Sequence, residues 1–189
     1  MEEEFYSPSM IIVGEQIALV RQLGAVRAAA DMFTQHRQIA PLEIGRWVEW
    51  DDDTLKMTVA AKAFVYEAAT LRQLAVDVAR RYPQFAADTR LALAKFDQAL
   101  PLLMELRNSQ AHLDERLNFK SRRTSIKVKY GEKLDPHGFG LITLPHVSGQ
   151  TIQATTESGE HAVIAINAEA AIAAEHLVRG VFASVGSTT

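Results

Sequence analysis

The stretch that decides the fold runs from residue 51 to residue 83, DDDTLKMTVAAKAFVYEAATLRQLAVDVARRYP. Within it Ala60, Phe64, Ala68, Leu71, Ala75, Val78 and Tyr82 recur at intervals of four and three. That is the spacing at which side chains return to one face of an α-helix. The run Asp51-Asp52-Asp53-Thr54 offers N-cap oxygens and negative charge where first-turn amides need both. Pro83 ends the pattern, because proline disfavours helical geometry in the residue before it. A long helix with one apolar stripe needs partners for that stripe, and the flanking sequence supplies them.

Upstream, from about Pro8 to Ala40, Leu19, Leu23, Val26, Ala30 and Phe33 recur at steps of three and four. Val13, Ile17 and Val20 read as a widening of the same apolar face, and Pro41 closes the element. Downstream, a third helix begins near Gln84 and places Leu93, Phe96, Leu100 and Leu103 on one side. Pro101 falls inside that pattern, which predicts a kink or a fresh start with proline at the first helical position. A fourth helical element spans Leu102 to about Asn118.

After Arg123 the period changes to two. Ile126 to Tyr130 alternates, Phe139 to Leu144 is β-prone, and the runs Thr151 to Thr155 and Ala162 to Ile166 follow the turn pairs Ser148-Gly149 and Ser158-Gly159. Asn167 then caps an alanine-rich helix with Ala174, Val178, Val181 and Val185 on one stripe. The expected architecture is mainly α and a single domain over residues 1–189. It comprises an antiparallel helical bundle (1–120), a small antiparallel β-meander inserted at 121–166, and a C-terminal helix (167–186) that returns to the bundle.

Composition agrees with a folded, soluble chain: 48% of residues are apolar and 23% charged. With no cysteine, disulfides, iron–sulfur clusters and thiolate zinc sites are excluded, which suits a reducing cytoplasm. The acidic start and the lack of a long apolar run predict neither a signal peptide nor a membrane span. The net charge of −3 conceals an uneven distribution, since residues 116–133 carry seven basic side chains and one acidic. Arg116, Lys120, Arg122, Arg123, Lys127, Lys129 and Lys133 thus form a cationic segment within an acidic remainder. It reads either as an anionic-ligand footprint or as a solvated connector.

Just before that segment, Leu106-Arg107-Asn108-Ser109-Gln110-Ala111-His112 places an arginine, an amide and a histidine at the end of an apolar stripe. On one unbroken helix Asn108 and His112 share a face, whereas Arg107 and His112, five apart, diverge by roughly 140°. Arg107 and His112 converge on one ligand if the helix starts or bends near Asn108, or if two copies meet across a symmetry axis. A bare Arg-to-His spacing arises roughly once by chance in such a chain; requiring Asn directly after Arg lowers the expectation to about 0.02.

This segment resembles the signature of the HEPN superfamily, helical proteins that include many metal-independent ribonucleases of toxin–antitoxin and antiviral systems. The family motif is an arginine, four to six residues beginning with a polar one, then a histidine; it is matched here by Arg107, Asn108 and His112. The resemblance implies a HEPN-like bundle over the first two thirds of the chain. It also implies a homodimer whose two motifs line one cleft, and endoribonuclease activity without cofactor or metal. In that activity His112 acts as general acid/base, Arg107 stabilises the phosphorane, and Asn108 supports them.

The chemistry is coherent for RNA, whose 2′-hydroxyl is an internal nucleophile beside the scissile phosphate, so cleavage needs chiefly proton transfer and charge neutralisation. Histidine has the reference pKa suited to both halves of that transfer, and arginine offers an always-charged fork for phosphate oxygens. RNA contacts are expected from Arg116, Lys120, Arg122, Arg123, Lys127 and Lys129. An antitoxin or defence-system protein is the expected macromolecular partner. The alternatives are a non-catalytic HEPN module binding a nucleotide, RNA or protein, and a purely structural dimerisation protein in which Arg107 pairs with Asp114 or Glu115.

Other residues have plainer readings. His137 and His146 lack a carboxylate or third histidine at ligand spacing and read as surface or turn residues. Gly138-Phe139-Gly140 reads as a turn. Trp47 and Trp50 read as covers for the end of the core. Lys127 and Lys129 leave one face of their strand, either toward an RNA backbone or as edge protection.

Overall fold

The computed structural model describes residues 8–36, 52–111, 146–156 and 160–186. It is mainly helical, with a small antiparallel sheet: α1 (Pro8–Gln35), α2 (Asp52–Arg81), a 3-10 turn (Pro83–Phe85), α3 (Ala86–Ala99), α4 (Leu103–Ala111), β1 (His146–Ser148), β2 (Thr151–Thr155), β3 (His161–Ala165) and α5 (Ala168–Gly186). The cationic segment, the expected strands Ile126 to Tyr130 and Phe139 to Leu144, Trp47, Trp50, His137 and the Gly138-Phe139-Gly140 turn lie outside the described residues.

Helix α2 is the centre. Ala60, Phe64, Ala68, Leu71, Ala75 and Val78 are buried as their spacing predicts, and Met57, Ala61, Val65 and Ala69 are buried beside them. The buried arc therefore covers about half of the helix circumference, so α2 packs against α1, α3, α4, α5 and the sheet. It starts at Asp52, within the acidic run. Helix α1 runs antiparallel to it: Glu15 pairs with Arg81, and about two turns further along α1 Gln22 Nε2 donates to the Glu67 carbonyl at 2.9 Å.

On α1 the stripe Leu19, Leu23, Val26, Ala30 and Phe33 is buried. The expected widening of that face is wrong: Val13, Ile17 and Val20 are 51%, 48% and 53% exposed. Val20 stands about 120° around the helix from Val26, beyond the seam that α2 and α5 fill. Helix α5 is tied to α1 by Arg27–Glu175, and the Glu175 carboxyl is held below its usual range, first by Arg179 and then by Arg27.

The α3–α4 junction resolves the Pro101 ambiguity as a fresh start, with the proline placed differently from expectation. Leu100, preceding proline, leaves helical geometry (φ −126°, ψ 67°). Leu102 takes a left-handed φ of 59° and its carbonyl accepts from Leu106 N at 2.9 Å. Pro101 thus precedes the residue that opens α4 and does not occupy its first turn. The described part of α4 ends at Ala111, short of the expected Asn118.

The sheet order is β1-β2-β3, all antiparallel. Ile152 faces Ile164 and Ala154 faces Ala162 across β2 and β3, and all four are buried in the same core as the helices. Strand β1 was not expected, and His146 belongs to it rather than to a turn. Gly149 (φ 59°) and Gln150 make the two-residue link to β2; a positive φ at the first of two turn residues matches a type II′ hairpin, which favours glycine there. Asn167 caps α5 as expected, its Oδ1 accepting from Ala170 N at 2.9 Å. Ala174, Val178 and Val181 are buried, and the Val185 side chain lies outside the described set.

Helices α3 and α5 touch so closely that a Cβ on Gly180 would lie 2.6 Å from Ala92 Cβ. Overpacking of this kind costs about 1–3 kcal/mol, against a gain of about 1 kcal/mol from replacing glycine in a helix. Gly180→Ala is therefore expected to lower the stability read by denaturant unfolding, and Ala92→Gly in the same chain to recover the overpacking loss.

Candidate functional site

The site is built where the end of α4 crosses α2. Leu103 and Leu106 anchor α4 in the core. Ser109 is fully buried, and its hydroxyl donates to the Thr155 carbonyl of β2 at 3.3 Å, joining helix to sheet. With that face turned inward, Arg107 and Asn108 fall at the margin, each half-buried.

The Arg107 guanidinium carbon lies 5.5 Å from the centroid of the Tyr66 ring, and Nη1 donates to Asn108 Oδ1 at 3.3 Å. Among the described residues no carboxylate forms an ion pair with Arg107. A cation over an aromatic ring is attracted by the ring without having its charge cancelled, whereas a carboxylate partner would neutralise it. Three residues along α4, both polar atoms of the Gln110 amide are shut off from solvent without a hydrogen-bond partner among the described residues. Leaving such a group unsatisfied costs about 1–3 kcal/mol.

Of the expected site residues, the structure places Arg107 and Asn108 together. His112 follows Ala111 directly but lies outside the described residues, as do Asp114, Glu115, Arg116, Lys120, Arg122, Arg123, Lys127 and Lys129. Tyr66 and Gln110 were not singled out in the sequence. Tyr66 carried a signal in retrospect: it is a large aromatic on α2 outside the apolar stripe.

A separate cleft of about 330 Å³ opens at the α3–α4 elbow, lined by Leu100, Leu102, Met104, Glu105 and the Arg72–Asp97 pair. Arg72 and Asp97 meet through two hydrogen bonds of 2.6 and 2.7 Å, and the hydrogen bond to Asp97 raises the Arg72 pKa. The cleft's arginine is thus already neutralised, unlike Arg107. Among the described residues no cluster of three or more histidine, aspartate or glutamate side chains could hold a metal ion. Within the same residues no helix is long and apolar enough to cross a membrane.

Comparison with protein-family models, with curated proteins and with solved structures finds no match to this chain.

The Ser109 bond makes the seating of α4 testable. Ser109→Ala is expected to cost about 1 kcal/mol of folding stability, measured by denaturant unfolding.

Proposed function

We propose that this chain is a HEPN-type endoribonuclease that cleaves RNA without a metal by attack of the 2′-hydroxyl, in a cleft formed by two protomers. The observation that carries this reading is Arg107, lying over the Tyr66 ring with no carboxylate partner among the described residues, beside Asn108 and five positions before His112. An arginine in that condition is suited to a phosphate, because no carboxylate among the described residues compensates its charge. The seven basic residues at 116–133 follow in sequence and supply a backbone-binding segment.

In this mechanism the 2′-oxygen forms a bond to phosphorus as the bond to the 5′-oxygen breaks. His112 handles the proton leaving the 2′-hydroxyl and returns one to the departing 5′-oxygen, the second copy's motif completing the cleft. Arg107 and Asn108 hold the phosphate oxygens as negative charge accumulates. The products are a 2′,3′-cyclic phosphate and a 5′-hydroxyl. An antitoxin or defence-system protein is the proposed macromolecular partner.

The test is cleavage of varied RNAs in EDTA. The wild type is expected to cut, leaving those ends, with His112→Ala slowed by about a hundredfold or more, the scale of lost general acid/base catalysis. Light scattering at micromolar concentration is expected to give a dimer. A wild type inert towards all substrates, or a His112→Ala variant that cuts as fast, overturns the catalytic reading.

A further inference from the structure

Tyr66 is 36% exposed, on the central helix but outside its buried arc. Its ring is therefore not a core element, and the Arg107 guanidinium lies over it, 5.5 Å from its centroid. The two residues come from different helices, and their contact depends on α4 being seated against α2. An arginine side chain otherwise keeps several rotatable bonds, and ordering them on binding a ligand is unfavourable. An aromatic face beneath the guanidinium removes much of that disorder beforehand without cancelling the charge. The Asn108 amide holds one end of the fork. Gln110, with donor and acceptor both unpartnered among the described residues, stands one turn further along the helix.

We propose that Tyr66 is the positioning residue of an anion site whose binding group is the Arg107 fork, and that the anion is a backbone phosphate of single-stranded RNA. The inference rests on the ribonuclease reading only for the identity of that ligand. The ring acts through the guanidinium; the reacting atoms are the business of His112. Replacing the flat ring leaves the arginine's charge in place but lets it wander, so affinity falls without loss of the charge itself.

The experiment uses the full chain and a short single-stranded RNA carrying 2′-O-methyl groups, which cannot be cut by 2′-hydroxyl attack, so binding is read apart from scission. In low salt with EDTA, Tyr66→Leu is expected to bind roughly three- to tenfold more weakly than the wild type, the range that a lost cation–π contact of about 0.7–1.4 kcal/mol produces. Tyr66→Phe is expected to bind as the wild type does. In an Arg107→Gln background Tyr66→Leu is expected to have no further effect, because the ring then has nothing to position. Tyr66→Met serves as a second ring-free variant if Tyr66→Leu melts early.

The proposal is overturned if the wild type does not bind the probe, or if ring-free variants bind as well as the wild type. It is equally overturned if Tyr66→Phe loses as much as Tyr66→Leu, or if the loss persists in the Arg107→Gln background. Failure of the wild type to cut unmodified RNA while this binding pattern holds overturns the ribonuclease reading and leaves the anion site standing.

Discussion

The rest of the molecule depends on the half-circumference of α2 that is buried. Alanines at 60, 61, 68, 69 and 75 make much of that surface shallow, so neighbouring elements approach the backbone closely, while Phe64, Leu71 and Val78 supply the apolar area that holds them. Every other described helix and the sheet touch this one element, and α5 packs in addition, and more extensively, on α3. The same packing sets the edge of the buried arc, and Tyr66 stands beyond that edge, where α4 brings Arg107.

The central helix was legible because one side of it carries an unbroken 3.6 period, and six of its seven stripe residues are buried with Tyr82 half-buried at the end. In α1 the same logic misled, since apolar residues occupy two sides of the helix and periodicity alone does not say which of them meets a neighbour. Leu19, Leu23, Val26, Ala30 and Phe33 fill the seam, and Val13, Ile17 and Val20 are left outside it. The Pro101 region carried a clear break signal, but the left-handed Leu102 could not be anticipated, because a leucine there is justified by tertiary seating and not by local preference. Strand β1 has three residues, too few for alternation to register, and its pairing is supplied by β2. Where the β-prone runs had turn pairs before them, strands follow: β2 forms at Thr151–Thr155 as expected, and β3 at His161–Ala165, one residue earlier than the expected Ala162–Ile166.

The candidate site divides along the same line. Arg107 and Asn108 were legible as neighbours in a motif, a local property of the chain. Tyr66 was not, because its role exists only once two helices distant in sequence cross. Gln110 was invisible for a related reason: a glutamine at a helix end is unremarkable until its amide is enclosed without a partner.

What separates Arg107 from the other arginines with assigned contacts is the kind of partner it has. Arg27, Arg72, Arg80, Arg81 and Arg179 each meet a carboxylate. Such pairs cancel charge locally and contribute to holding helices in register, modestly where they are exposed. Arg107 instead rests on an aromatic face, which attracts the cation without neutralising it. A positive charge without a counter-ion among the described residues is less stable at a half-buried position than a paired one, and the Gln110 amide nearby lacks a partner among the same residues. Among the described residues, these two polar demands lie close together on one short helix without partners, and the proposed anion site would meet the first of them.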